Sequence, residues 1–385
     1  MSWSTTFNVK KSLNSSLPYS TRFPWRSPRN RLSIALDEHG GPVIDLTISN
    51  PTRTDLKFPQ DLALSTYNPE AAGALKTREA IATYYLEEFK TQISPQQIIL
   101  TTSTSEAYSY CFKLIADPGT QILLPQPSYP LLQFLVEAEG LEAVSYPIHY
   151  ATGQWLLDRD RFESLYTSQT RAVVLVHPNN PTGHFTSAAD VDWLRRLTQD
   201  RCWLISDEVF TDYAWQAPSL RSLTQAGAQN SFTLSGLSKI CALPQMKLGW
   251  IILPDVPDLR HNMEFIADTY LSVSAPIQQA SPHWLGLRSK IQESIRRRCL
   301  ENLQLLRENL AGTAWTPLAA HAGWSNIIQG PSHIDEEQLA LSMLERGFLI
   351  QPGYYYDLPF STSFVVSLLT PPQDLAKCLS ELKTF

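Results

Sequence analysis

A chain of 385 residues exceeds one ordinary hydrophobic core, so it predicts a large domain with a smaller companion and room for a deep cleft. Its 31 Lys and Arg against 37 Asp and Glu give a formal net charge of −6, which with no long basic block argues against a nucleic-acid-binding surface. Cys111, Cys202, Cys241, Cys299 and Cys378 lack the paired spacing of a disulfide framework or a zinc site, which implies a reducing compartment.

No apolar run is long enough to span a bilayer and the N-terminal region has no hydrophobic signal-peptide core, so a soluble, cytoplasmic protein is expected. Residues 1–36 contain no Asp or Glu but carry Lys10, Lys11, Arg22, Arg26, Arg29 and Arg31, a mildly transit-like composition. Trp25 and Pro28 suggest a blander origin, an extended arm packed on the body or on a neighbouring subunit. Pro42 to Ser49, PVIDLTIS, then reads as a short strand that Asn50-Pro51-Thr52-Arg53 stops, leaving Arg53 near a strand end, either lining a site or solvated. Tyr67-Asn68-Pro69 and Gly73 form a turn before ALKTREAIATYYLEEF, whose apolar positions recur with helical spacing.

IILTT (98–102) predicts a buried strand. Ser103-Thr104-Ser105-Glu106 opens the next helix with hydroxyls, which suits either ordinary capping or an anion held by free amide groups. QILLP (121–125) is a second buried strand that delivers Ser128 and Tyr129 to the same edge, where Tyr129 offers an aromatic face or simply joins the core. RAVVLVH (171–177) has the continuous apolar character of a parallel strand buried on both faces. It runs into a turn fixed by two prolines and a glycine, able to aim the Asn180 amide at a ligand, and a helix from Ser187 to Leu197 follows.

CWLIS (202–206) ends in Asp207, a carboxylate that needs a cationic partner if buried. The richest stretch is Ser231 to Trp250, SFTLSGLSKICALPQMKLGW: strand SFTL, a turn at Gly236, Lys239 at the strand's carboxyl end, and a second strand, LGWII. A lysine in such a crevice loses solvation, so its pKa falls and its free amine becomes a nucleophile for a carbonyl, the chemistry of a Schiff base. Ser238 and Lys247 add a hydroxyl and a charge for a phosphate. Taken alone, the Ser-Lys pair equally describes a solvated loop.

Strand and helix signals alternate from about residue 98 to 252 with polar residues at strand ends, which predicts a doubly wound, mostly parallel α/β sheet with its site along the carboxyl edge. After Pro276 the pattern is α+β: a long helix to Leu310, WSNII, a helix around Glu336 to Arg346, FLIQPG, FVVSLL and a final helix near Asp374 to Leu382. The expected division is residues 1–48 as an arm and part of a small domain, 49–276 as the large domain and 277–385 as the C-terminal small domain.

HPNNPTG, SDEVF, LSGLSK, KLGW and QPGYYYD, in that order, make the chain from about Val43 to Pro372 resemble the pyridoxal-phosphate-dependent class I/II aminotransferases of fold type I. The resemblance implies a homodimer with sites shared at its interface, and Lys239 as the lysine that forms the cofactor aldimine. Asp207 would face the pyridinium nitrogen, Asn180 the phenolic oxygen, and Tyr129 would stack on the ring. Ser103, Thr104, Ser105, Ser238 and Lys247 would hold the phosphate, with Tyr67 reaching over from the second subunit.

Three positions depart from the family pattern. Phe210 stands where a tyrosine is frequent, removing a hydroxyl that would lower the aldimine pKa. Lys247 stands where an arginine is usual, a point charge in place of a bidentate fork. Phe364-Val365-Val366-Ser367 stands where an arginine for the substrate carboxylate is common. Arg53 becomes the candidate for that carboxylate, assisted by the amides of Ser49 and Asn50. The expected activity is amino transfer between an amino acid and a 2-oxo acid. A carbon–sulfur lyase is the close alternative, and a non-catalytic pyridoxal-phosphate-binding protein the distant one.

Overall fold

Apolar runs of Val, Ile and Leu, buried on both faces, build the centre of the molecule. The computed structural model describes residues 30–48, 54–55, 69–199, 201–216, 218–227, 230–256 and 258–385. Among these, a first strand, β1 (Ile44–Asp45), is two residues long. The central sheet follows: β2 (Ile98–Thr101), β3 (Gln121–Gln126), β4 (Glu142–Ala151), β5 (Gln154–Leu157), β6 (Thr170–Val176), β7 (Trp203–Asp207), β8 (Ser231–Gly236) and β9 (Gly249–Ile252), in the order β2-β9-β8-β7-β6-β3-β4-β5. Strands β4, β3, β6, β7 and β8 are parallel, while β2, β9 and β5 join antiparallel.

The helices are α1 (Arg31–Glu38), α2 (Leu75–Phe89), α3 (Thr104–Ile115), α4 (Leu131–Ala138), α5 (Arg159–Leu165), α6 (Ala188–Thr198), α7 (Leu237–Ile240), α8 (Leu259–Tyr270), α9 (Ala275–Leu310), α10 (Glu336–Glu345) and α11 (Pro372–Leu382). Alternate residues of β6 face opposite layers: Val174 and Val176 join the core under α3, α4 and α8, while Val173 and Leu175 join one that holds Phe162, Val191 and Leu194. The strand order reverses between β3 and β6, which opens a crevice at their carboxyl ends.

A second, antiparallel sheet runs β10 (Thr316–Pro317), β11 (Ser325–Gln329), β14 (Ser363–Ser367), β13 (Gln351–Pro352), and β1 pairs in parallel with β12 (Phe348–Leu349). The strand expected over 42–49 is thus much shorter. Asp45 accepts hydrogen bonds from the backbone N and Oγ1 of Thr47, at 2.8 and 2.5 Å, and turns the chain before pairing extends. Strands β4 and β5 had no clear signal in the sequence: β4 is exposed at several positions and contains Pro147, tolerated because β5 begins pairing only at Ile148.

Candidate active site

Five strand ends deliver polar groups to one edge of the central sheet. After β2, the Ser103 Oγ accepts from the backbone N of Glu106 at 3.2 Å, and the Glu106 carboxylate receives the backbone N and Oγ1 of Thr102 and the Oγ of Ser272. Ser103 therefore caps α3, and the amides of Thr104 and Ser105 open the helix with no acceptor in a preceding turn. Gly249 presses on this turn: a Cβ there would stand 2.9 Å from the Ser103 carbonyl carbon and 3.1 Å from the Thr104 nitrogen. Only glycine lets β9 pass so close.

Asn179 latches the crevice between β3 and β6. Its Oδ1 accepts from the Ser128 Oγ at 2.7 Å, and its Nδ2 donates to the Pro127 carbonyl and to the Thr182 Oγ1. Thr182 Oγ1 shares a further hydrogen bond with the His184 Nδ1 at 2.7 Å, its direction set by the imidazole tautomer. The network is buried and fixes the segments that carry Tyr129 and Asn180. Asn180 itself is half-buried with no side-chain partner among the described residues. Burial pushes the Tyr129 phenol up to about 12.

His177 completes the support. Its Nδ1 accepts from the Thr186 backbone N at 3.2 Å, which leaves Nε2–H to donate to the Leu220 carbonyl, so the neutral ring has both nitrogens satisfied. Burial lowers His177 to about 4 and His184 to about 3. Both values lie below the unfolded 6.5, so the native state binds fewer protons and its stability, complete above pH 6.5, is lost as the pH falls toward 4. The stability difference between the protein and its His177→Gln variant should shrink by roughly 2 to 3 kcal/mol from pH 7.5 to 4.5 in urea melts. Parallel stability curves would contradict the assignment of a neutral, buried ring.

Asp207 ends β7 with 7% of its surface exposed. Its Oδ2 accepts from the Tyr108 hydroxyl at 3.2 Å and its Oδ1 from the Val209 backbone N at 3.3 Å. Among the described residues Asp207 forms no direct ion pair; neutral donors hold the carboxylate and Lys239 attracts it from farther away. Burial outweighs these and raises Asp207 to about 6.

Lys239 projects from α7, immediately beyond β8, and burial lowers its amine to about 8 against the attraction of Asp207. The Tyr213 hydroxyl donates to the Lys239 carbonyl at 2.6 Å and holds the short helix in place. Nζ stands 5.4 Å from the Phe210 ring centroid and 5.1 Å from that of Trp324. Ser238 is half-buried beside it, and Lys247 is exposed in a left-handed conformation, two residues before Gly249.

Val365 and Val366 are both buried in β14 and point into different cores, Val365 among Leu318, Ile327 and Leu358, Val366 among Leu306, Ile328 and Leu379. Neither position offers a charge to the crevice. Ser49, Asn50, Arg53 and Tyr67 lie outside the described residues. Tyr108, Asn179, His184 and Trp324 were missed from the sequence. Tyr108 had a signal, since it follows Thr104 by one helical turn; Trp324 had none, because it arrives from a distant sheet.

The family model described as "Aminotransferase class I and II" matches residues 64–382. Mouse tyrosine aminotransferase is 29% identical over 233 residues, 57% of this chain and 51% of that protein, so the match spans about half of the relative's length. An alanine aminotransferase of Mycobacterium bovis is 25% identical over 94% of this chain and 89% of its own. The S-alkyl-thiohydroximate lyase of Arabidopsis thaliana is 26% identical over 59% of this chain and 52% of its own. Among solved structures, a Thermus thermophilus aspartate aminotransferase mutant shares the fold with a TM-score of 0.81 at 20% identity, covering 96% of this chain and 99% of that one. With the family match running over most of its length, the chain belongs to the class I and II aminotransferases.

Proposed function

We propose that this protein transfers an amino group between an amino acid and a 2-oxo acid with pyridoxal 5′-phosphate as cofactor. The observation that carries the reading is the pair at adjacent strand ends, a lowered amine at half-buried Lys239 and a buried carboxylate at Asp207 that attracts it. The surrounding residues fit the cofactor. Asn180 has an unpartnered amide, Gly249 leaves a tight cradle at the α3 N-terminus, and Lys247 has no ion-pair partner among the described residues. Backbone amides there, with the hydroxyls of Ser103, Thr104, Ser105 and Ser238 and the charge of Lys247, would hold the phosphate. Tyr129 would cover the ring, Asn180 would bond its phenolic oxygen and Asp207 would keep its nitrogen protonated.

When bound, pyridoxal phosphate supplies an electron sink for breaking the Cα–H bond. Lys239 would carry the proton: its amine, lowered toward neutrality, could both take and return one. Residues holding the phosphate would fix the cofactor's place beside Lys239, so that this one lysine could serve as the proton carrier.

The wider reading is a cytoplasmic homodimer, Tyr67 reaching the partner's phosphate, with its large domain over 49–276 and its small domain formed by 277–385 and part of 1–48. Arg53, with the amides of Ser49 and Asn50, would pair the substrate carboxylate, because a closed site that excludes water must neutralise that anion. Arg53→Ala should lower kcat/KM for carboxylated substrates about 10- to 100-fold, the loss of one charge-assisted pair. Unchanged kcat/KM would remove Arg53 from the role.

A carbon–sulfur lyase remains the second reading, favoured by the match to the plant lyase. Purified protein supplied with amino acids and 2-oxo acids should form the new amino acid. Release of pyruvate and ammonia from cysteine or cystathionine without an added oxo acid, and no transfer, would replace the first reading with the second.

A further inference from the structure

The loop between β10 and β11 crosses from the second sheet to the reacting lysine. It is stitched there on two sides. The Trp215 backbone N donates to the His321 carbonyl at 2.7 Å and the Gly323 N to the Tyr213 carbonyl at 3.1 Å, while the His321 N donates to the Gly183 carbonyl at 3.0 Å. A Cβ on Gly183 would stand 2.5 Å from the Ala322 carbonyl oxygen, so the turn that carries Asn180 tolerates only glycine where the loop passes.

What the loop delivers is Trp324, with 2% of its surface exposed. Its ring meets Phe210 edge-on at 5.4 Å between centroids and Tyr213 edge-on at 4.9 Å. Two flanking aromatics lock its orientation, and Lys239 Nζ lies within about 6 Å of two ring centroids, the range over which a ring quadrupole attracts a cation. Among the described residues the charged group that acts on the amine is Asp207 of β7; the Tyr213 hydroxyl is engaged by the Lys239 carbonyl.

We propose that Trp324, together with Phe210, forms an aromatic clamp on the Lys239 amine, and that Trp324 is a positioning residue which the second sheet contributes to the reacting group. The role rests on Lys239 being the reactive amine, but the clamp itself is a property of the protein without cofactor. A ring face favours the ammonium over the neutral amine. An aliphatic residue of similar burial keeps the dehydrated surroundings and removes that attraction, so the lysine should lose its proton more easily.

The test is competitive labelling of the full-length, cofactor-free protein with acetic anhydride across a pH series, read at Lys239 by mass spectrometry of the digest. Trp324→Leu should lower the midpoint for Lys239 by about 0.5 to 1.5 pH units, and Trp324→Phe, which keeps a ring, should stay within about 0.3. Circular dichroism checks that each variant is folded. If Trp324→Leu unfolds, Phe210→Leu serves instead and should shift the midpoint in the same direction. An unchanged or higher midpoint in a folded leucine variant would overturn the clamp. That result is distinct from failure of the functional reading, since the amine is titrated whether or not it ever carries a cofactor.

Discussion

Lys239→Ala is expected to lower amino transfer by at least about 10³-fold, because one substitution removes both the nucleophile that holds the cofactor and the group that moves the proton. The fold should survive. Asp207 keeps its hydrogen bonds from Tyr108 and Val209, and the Tyr213 hydroxyl bonds the backbone of residue 239, not its side chain. The lost amine stands near the Phe210 and Trp324 rings and makes no side-chain hydrogen bond or ion pair among the described residues. Partial recovery on adding a small primary amine would show that the deficit is chemical. Activity within tenfold of the unaltered protein would move the reaction to another residue.

Asp207→Asn should retain cofactor yet slow the half-reaction by about 10²- to 10³-fold. The amide is nearly isosteric, and its oxygen still accepts from the Tyr108 hydroxyl or the Val209 backbone N. What it lacks is charge. A buried carboxylate is already raised to about 6 by desolvation, so an apposed cation is the strongest stabiliser it can acquire, and the same attraction keeps that cation protonated. The neutral amide offers no such hold. Stopped-flow measurement of pyridoxamine formation checks this, and an undiminished rate would remove Asp207 from the role.

The elements that frame these groups were legible because each is a local pattern. IILTT, RAVVLVH and SFTL are apolar runs cut short by hydroxyl, Pro or Gly, and the strands at 98–101, 170–176 and 231–236 follow them closely. Ser103 and Ser187 announced helix starts that their hydrogen bonds make, to Glu106 and Asp190. Lys239 and Asp207 stood at strand ends, and parallel topology brings those to one edge.

What stayed hidden depends on contacts between distant segments. The Ser128 to Asn179 bond crosses 51 residues of sequence, and Trp324 reaches Lys239 from another sheet. Neither carries a spacing that sequence periodicity could register. At Asp207 too the partners come from elsewhere: Tyr108, 99 residues away in sequence, and the Val209 backbone amide meet part of the demand that burial places on the carboxylate.

The central claim is that one amine, at Lys239, carries the cofactor. Borohydride reduction of the purified protein loaded with pyridoxal phosphate, followed by digestion and mass spectrometry, tests it directly. The pyridoxyl label should fall on Lys239 alone and be lost in Lys239→Ala. A label on any other lysine, or none, would contradict the account.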